Sequence, residues 1–394
     1  MKGSLVVIQT HPIQYHVPVY RTLQAQWDIP VTAIYGSDFS VVGYRDKEFG
    51  VSFAWDVDLL SGYTAVFLSR VETEGARSVE DVSSRGLRRA LREISPRAAL
   101  IVGYSPRFYW EAFSEAWRIK IPVLFRGETT DHAKHPGLLR AWFRDPILRW
   151  IYKRCDRLLY VGQRSYRHFK RLGVSDQKLI SSPYCVDTVP FEPSETNRTR
   201  LRQTIRQMFR LTKDQKVLLF SGKLSRRKGV ELILPAIRAL PDNVREQIVL
   251  FFIGDGALRQ TLRKQAEGPP SVSVHFLGFQ NQKVLSPYYH AADLLLLPSL
   301  HSETWGLVVN EAFHHGLPCV VSEEVGCALD LVEPGITGEI CRAGQVLALS
   351  LAIERAMGLI GRSEIRERCR RKVSGYTVEK AAEGIAQAYW AVAA

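Results

Sequence analysis

Short apolar runs alternate with helix-period segments along nearly the whole chain, the pattern of repeated βαβ units in parallel sheets. In the first half, the runs that predict strands are Leu5–Gln9, Val31–Tyr35, Ala98–Val102, Val123–Phe125, Leu158–Val161 and Lys178–Ser181, with helical stretches such as Val79–Glu93 and Arg164–Leu172 between them. The second half restarts the alternation. Strands are expected at Val217–Ser221, Ile248–Ile253, Val272–Phe276, Leu294–Leu297 and Cys319–Ser322, and helices at Val230–Ala239, Leu258–Gln265, Val284–Ala291 and Leu307–His315. Between the halves the pattern lapses over Thr188–Asn197, where Pro190 and Pro193 deny regular structure. The expected organisation is α/β throughout: a doubly wound domain over residues 1–187, a linker over 188–198, and a second doubly wound domain over 199–377. A closing helix over 378–394, with no strand after it, is expected to cross back onto the first domain. Two such domains place ligands at the carboxyl ends of their strands, facing the cleft between them.

Composition narrows the class. A chain of 394 residues is too long for one ordinary core, and 46% hydrophobic against 24% charged residues is a globular balance. No window approaches the ~18 uninterrupted apolar residues of a spanning helix. The apolar run Leu5–Ile8 is too short for a signal segment, so a cytoplasmic location is expected. Six cysteines stand at no CxxC spacing, which suggests reduced thiols in core positions rather than a zinc site or a redox pair. Lys plus Arg is 53 against 40 Asp plus Glu, a net +13. That balance favours an anionic partner without choosing among nucleic acid, a phosphorylated metabolite and an acidic membrane surface.

One stretch is more basic than the rest. From Lys134 to Arg171, eleven Lys/Arg face two Asp, with Trp142, Phe143, Ile147, Leu148, Trp150, Ile151 and Tyr152 interleaved. Pro146, with Asp145 before it as an N-cap, predicts two short helices here. The stretch reads either as an amphipathic surface for peripheral contact with anionic lipid, at the inner face of a membrane, or as an ordinary helix pair with a solvated cationic face.

Three segments carry candidate chemistry. In Ser299–Gly316, a strand ends at Pro298, a polar loop holds Glu303, and an apolar helix starting after Gly306 holds Glu311. Free N–H groups at that helix start can face an anion. On one helix, eight residues rise about 12 Å, beyond the ~5–5.5 Å of a retaining hydrolase pair, so separate binding roles fit the two carboxylates better. In Phe220–Gly229, Lys223, Arg226, Arg227 and Lys228 follow a strand and enter a helix, a place for a diphosphate. A helix terminus supplies about 0.3–1 kcal/mol and a charge-assisted hydrogen bond about 1.5–3 kcal/mol, so the cationic side chains would dominate. A P-loop is excluded, because Gly-x4-Gly-Lys-Ser/Thr is absent. The third segment, Phe252-Ile253-Gly254-Asp255-Gly256, allows close backbone approach but is not a GxGxxG fingerprint. Asp56-Val57-Asp58 matches a DxD metal motif but stands without a second carboxylate or His cluster, and no metal is expected.

Taken together, these segments resemble the retaining glycosyltransferases of family 4, which have the GT-B fold of two Rossmann-like domains. Gly222-Lys223-Leu224 … Lys228-Gly229 resembles the family's diphosphate segment, and Phe252–Gly256 its Gly-(Asp/Glu)-Gly turn. Leu277-Gly278-Phe279 resembles the loop that holds the nucleobase through backbone contacts. Ser302–Ala312 resembles the Glu-x7-Glu signature, followed by Gly316–Val320 and Gly335–Gly338. Thr10-His11-Pro12-Ile13-Gln14-Tyr15-His16 and Trp55–Tyr63 resemble a bacterial subgroup beginning with His-Pro-Ile-Gln-Tyr.

The resemblance implies a UDP- or GDP-sugar donor held by the second domain at Gly222, Lys223, Lys228, Gly254, Phe279, Glu303, Trp305, Gly306, Leu307, Val308 and Glu311, with no cofactor. Glu303 would contact hydroxyls of the transferred sugar, Glu311 the ribose, and Lys228 the diphosphate. Lys223 stands where the family has Arg and lacks its bidentate fork. The first domain would bind the acceptor. The family's first-domain His has no clear match, and Glu128, in Arg126-Gly127-Glu128-Thr129, and His16 stand as candidates for the acceptor side. Retention without an evident nucleophile implies front-face displacement, in which a diphosphate oxygen takes the acceptor's proton. The expected setting is surface polysaccharide or glycolipid biosynthesis, with a glycan, lipid-linked or small-molecule acceptor. Two rivals remain: a sugar-nucleotide 2-epimerase of the same architecture, and a basic nucleic-acid-binding protein, for which no recognisable module is present.

Overall fold

The computed structural model describes residues 3–45, 52–53, 57–73, 75–128, 130–131, 138–191 and 195–393. The apolar runs become strands covered by helices on both faces, which is why they read as continuous rather than alternating. The first sheet holds β1 (Leu5–Gln9), β2 (Val31–Tyr35), β3 (Thr64–Phe67), β4 (Ala98–Ile101), β5 (Val123–Arg126), β6 (Arg157–Tyr160) and β7 (Leu179–Ser181). Its order is β3-β2-β1-β4-β5-β6-β7, all parallel. The second sheet holds β8 (Lys216–Ser221), β9 (Ile248–Ile253), β10 (Ser273–Gly278), β11 (Leu294–Leu297), β12 (Cys319–Ser322) and β13 (Gly338–Cys341). Its order is β10-β9-β8-β11-β12-β13, again parallel. In each sheet the strand order reverses beside the first strand, and the crevice at that reversal is where an open α/β sheet takes its ligand.

The helices around the two sheets include α1 (Val17–Trp27), α2 (Leu138–Arg154), α3 (Glu195–Met208), α4 (Leu307–His314), α5 (Ser363–Val373) and α6 (Val378–Ala393). The closing helix α6 lies on the first domain against α1. Ser182 donates from Oγ to the Ala381 carbonyl at 2.9 Å, and Arg97 from Nη1 to the Ala393 carbonyl at 2.6 Å. All six cysteines are buried free thiols. Among the described residues, no helix is long and apolar enough to cross a membrane.

Several elements differ from expectation. The helix predicted over 79–93 covers only Leu87–Ile94, because Ser83-Ser84 and Gly86, at φ +90°, make a turn first. Strands β3 and β13 were not predicted; both are sheet edges, and β3 is only half-buried, so its apolar pattern is weak. The basic stretch does not split at Pro146, since α2 runs through it. Asp145 caps nothing there: its carboxylate pairs with Arg171 and with Arg144, leaving the exposed proline on a continuous helix. Helix α3 begins at Glu195, inside the expected linker.

Candidate active site

The loops that leave the carboxyl ends of both sheets meet in one cleft. Two glycines let the second domain's loops touch. Gly254 has φ +125°, and a Cβ there would stand 1.9 Å from the Gly222 carbonyl oxygen. Gly229 has φ +65°, and a Cβ there would stand 2.1 Å from the Pro298 carbonyl oxygen. Only glycine permits either contact. The second one seats Lys228 against the loop that follows β11.

There Lys228 donates from Nζ to Glu303 Oε2 at 2.5 Å, and Ser299 Oγ donates to the same oxygen at 2.9 Å. Arg227 Nη1 lies 3.5 Å from it. Burial alone would raise the Glu303 pKa, but the Lys228 ammonium overrides it and holds the carboxyl below the usual range, so it is ionised. The result is a nearly buried ion pair with a second cation beside it.

A cavity of about 110 Å³ is bordered by Gly222, Gly254, Phe279, Val308 and Glu311 from the second domain and by Gln14 and Tyr15 from the first. Glu311 is buried and accepts from the Tyr289 hydroxyl at 2.6 Å. Burial pushes its pKa up to about 7, against the opposing pull of that hydrogen bond. The folded state thus holds this proton more tightly than the unfolded chain. Its stabilising contribution is full below the ordinary glutamate range and is lost as pH rises from there through about 7, a loss of about 3 kcal/mol. Glu311→Gln cannot titrate, so urea unfolding from about pH 5 to 8 should show that descending slope in the parent protein and a flatter one in the variant. Equal slopes would contradict this assignment.

A second cavity, of about 350 Å³, is bordered by His11, His16, Tyr104, Tyr109, Glu128, Arg144 and Thr304. Thr304 donates from Oγ1 across the domains to Glu128 Oε2 at 3.0 Å. Burial pushes the Glu128 pKa up, with the Thr304 hydrogen bond and Arg126 opposing it. His16 stands at the start of α1, but its ring makes no capping hydrogen bond. Instead Tyr20 donates to Gln9 Oε1 at 3.0 Å, which orients the Gln9 amide so that Nε2 meets His16 Nδ1 at 2.9 Å. Nδ1 therefore accepts, and the ring proton sits on Nε2. Burial, then Arg126 and His11, lower the His16 pKa to about 3, so the ring is neutral.

Two segments border both cavities. The loop after β1 sends Gln14 and Tyr15 to the smaller one and His11 and His16 to the larger. The segment from Thr304 to Glu311 does the same from the other domain, with Thr304 at one end and Val308 and Glu311 at the other.

Not every predicted residue borders a cavity, and Lys228 and Glu303 line neither of these two. Trp305 is buried between Tyr184, at 5.8 Å, and Tyr376, at 5.6 Å, and its Nε1 donates to Asn310 Oδ1 at 2.8 Å. It wedges the two domains together. Gly306 is the residue before α4, and Leu307 begins that helix. Lys223 is half-buried on the loop after β8. In the DxD match, Asp58 accepts from the Leu60 and Ser61 amides at 3.0 and 3.1 Å, and Asp56 lies outside the described residues.

Sequence reasoning passed over Gln14, Tyr15, Thr304 and Tyr289. Gln14 Oε1 is buried and accepts no hydrogen bond from the described residues. The only signal for Gln14 and Tyr15 was their place in the Thr10–His16 motif.

Residues 202–373 match the sequence model of glycosyl transferases group 1. The chain is 26% identical over 224 residues to a lipopolysaccharide 1,2-N-acetylglucosaminetransferase of Salmonella typhimurium, covering 54% of this chain and 56% of that one. It is 30% identical over 244 residues to a D-inositol 3-phosphate glycosyltransferase of Mycolicibacterium smegmatis, covering 59% of this chain and 54% of the other. The chain thus spans a little over half the length of these curated relatives. Among solved structures, Anabaena HepE in complex with UDP and glucose superposes with a TM-score of 0.68 at 16% identity, over 98% of each chain. Sucrose-phosphate synthase from Thermosynechococcus elongatus superposes at 0.70 with 17% identity, also over 98% of each. The fold is GT-B.

Proposed function

We propose that this protein is a glycosyltransferase that moves a sugar from a UDP- or GDP-sugar to an acceptor hydroxyl, with retention and without a metal. The observation that carries the reading is the paired cavities, both bordered by Thr10–His16 and by Thr304–Glu311, with the Lys228–Glu303 pair on the loop that leads into the second segment. A transferase has two substrates to bring together, and the same two segments border both cavities of this cleft.

In this reading the nucleoside occupies the smaller cavity, with the ribose on Glu311. The diphosphate lies toward Lys228, Arg227 and Lys223, whose charges stabilise it as it leaves. Glu303 holds the transferred sugar through its ionised carboxylate and keeps Lys228 oriented. The acceptor enters the larger cavity, where Glu128 positions its hydroxyl and the neutral His16 offers a donor from Nε2. A diphosphate oxygen takes the acceptor's proton on the same face from which it departs. Holding both reactants in line supplies much of the rate. The Salmonella relative is named for transfer onto lipopolysaccharide, which supports a surface-polysaccharide or glycolipid acceptor.

The test is product release. Purified protein, screened first for nucleotide sugars that raise its melting temperature, should free nucleoside diphosphate only when an acceptor is added. Interconversion of the sugar nucleotide with no acceptor present would make it an epimerase instead.

A further inference from the structure

Helix α2 is apolar on two sides. Leu148, Ile151 and Tyr152 face the first domain's core and are buried. Trp142, Phe143, Ile147 and Trp150 are exposed, at 71%, 65%, 45% and 46%. At roughly 100° per residue, these four fall within an arc of about 140° on the opposite face. No other helix among the described residues presents such a group of exposed large apolar side chains. A soluble surface scatters such residues singly.

The charge around this face has one sign. Arg149, Lys153 and Arg154 are exposed, with the Arg154 guanidinium 4.0 Å from the Trp150 ring centre. The one carboxylate between residues 142 and 154, Asp145, is turned inward onto Arg171 and Arg144. Aromatic side chains flanked by cations that pair with no carboxylate among the described residues suit the headgroup region of an anionic bilayer, where rings sit at the interface and cations meet phosphates. A second copy fits poorly. An isologous contact would set these cations against their own copies, with no carboxylate on the face to pair them.

We propose that the outer face of α2 docks on an anionic phospholipid surface, and that an acceptor anchored in that surface is what enters the Glu128 cavity. The second clause rests on the function proposed above. It follows from Arg144, which lies on the same helix, borders that cavity and pairs with Asp131 at 2.6 Å. The docking face and the cavity wall are two sides of one rigid element.

Sedimentation of the full chain with vesicles tests the docking. The protein should pellet with vesicles of equal parts phosphatidylglycerol and phosphatidylcholine, and far less with phosphatidylcholine alone. The double substitution Trp142→Ser/Phe143→Ser removes two solvent-exposed rings and should lower the partition on the order of a hundredfold. Arg149→Gln/Lys153→Gln/Arg154→Gln should abolish the preference for the anionic lipid. Protein that stays in the supernatant, or a double variant that pellets like the parent, overturns the proposal. So does a dimer in sedimentation velocity that the same double substitution abolishes, which would assign the face to a second copy. The measurement contains no nucleotide sugar, so its failure leaves the donor-site reading standing.

Discussion

Lys228→Ala is expected to lower turnover on the order of 10²–10³-fold, the usual cost of removing one preorganised group from a developing negative charge. The same substitution should destabilise the fold, because it leaves Glu303 ionised and buried without its partner. Breaking a buried pair from one side costs about 3–5 kcal/mol, whereas replacing both partners with neutral groups of similar shape is often nearly neutral. The double variant Lys228→Met/Glu303→Gln should therefore recover most of the melting temperature while turnover stays low. Steady-state kinetics with thermal melts on the three proteins separates the two effects. A double variant that regains turnover together with stability would reduce the pair to a structural device.

Glu128→Gln should act on the other substrate. Its carboxylate is held by Thr304 across the domain interface and sits in the larger cavity. In the proposed function this carboxyl orients the acceptor hydroxyl, and replacing it is expected to lower turnover by about 10²-fold. The acceptor KM should rise, while affinity for the nucleotide sugar, measured calorimetrically without acceptor, should stay within about twofold. A variant that loses donor affinity instead would move Glu128 to the donor side. Retained donor affinity guards against reading general destabilisation as a site effect.

The strand-loop-helix segments that border the cleft were legible because a parallel strand ends in a recognisable way: a continuous apolar run, then Gly and polar residues, then helical spacing. Residues 220–229, 252–256 and 299–311 all have that form. What local pattern cannot carry is which way a loop side chain turns. Trp305 stands between Thr304 and Gly306 in a segment otherwise committed to the cleft, yet its ring points at Tyr184 and Tyr376. Nor can it carry a juxtaposition between domains, so Gln14 and Tyr15 gave no sign that they would border the cavity of Glu311. Pro146 misled for a different reason. Proline removes one backbone donor and crowds the carbonyl four residues before it, yet α2 continues through Pro146, which lies on the exposed side of a helix anchored by the buried Leu148, Ile151 and Tyr152.

In the proposed function, the cleft between the two sheets cradles a nucleoside diphosphate against the second domain. A crystal structure of the protein with bound UDP or GDP tests it most directly. The diphosphate is expected within hydrogen-bonding reach of Lys228 and the ribose hydroxyls on Glu311. A nucleotide bound elsewhere, with both side chains untouched, would contradict it.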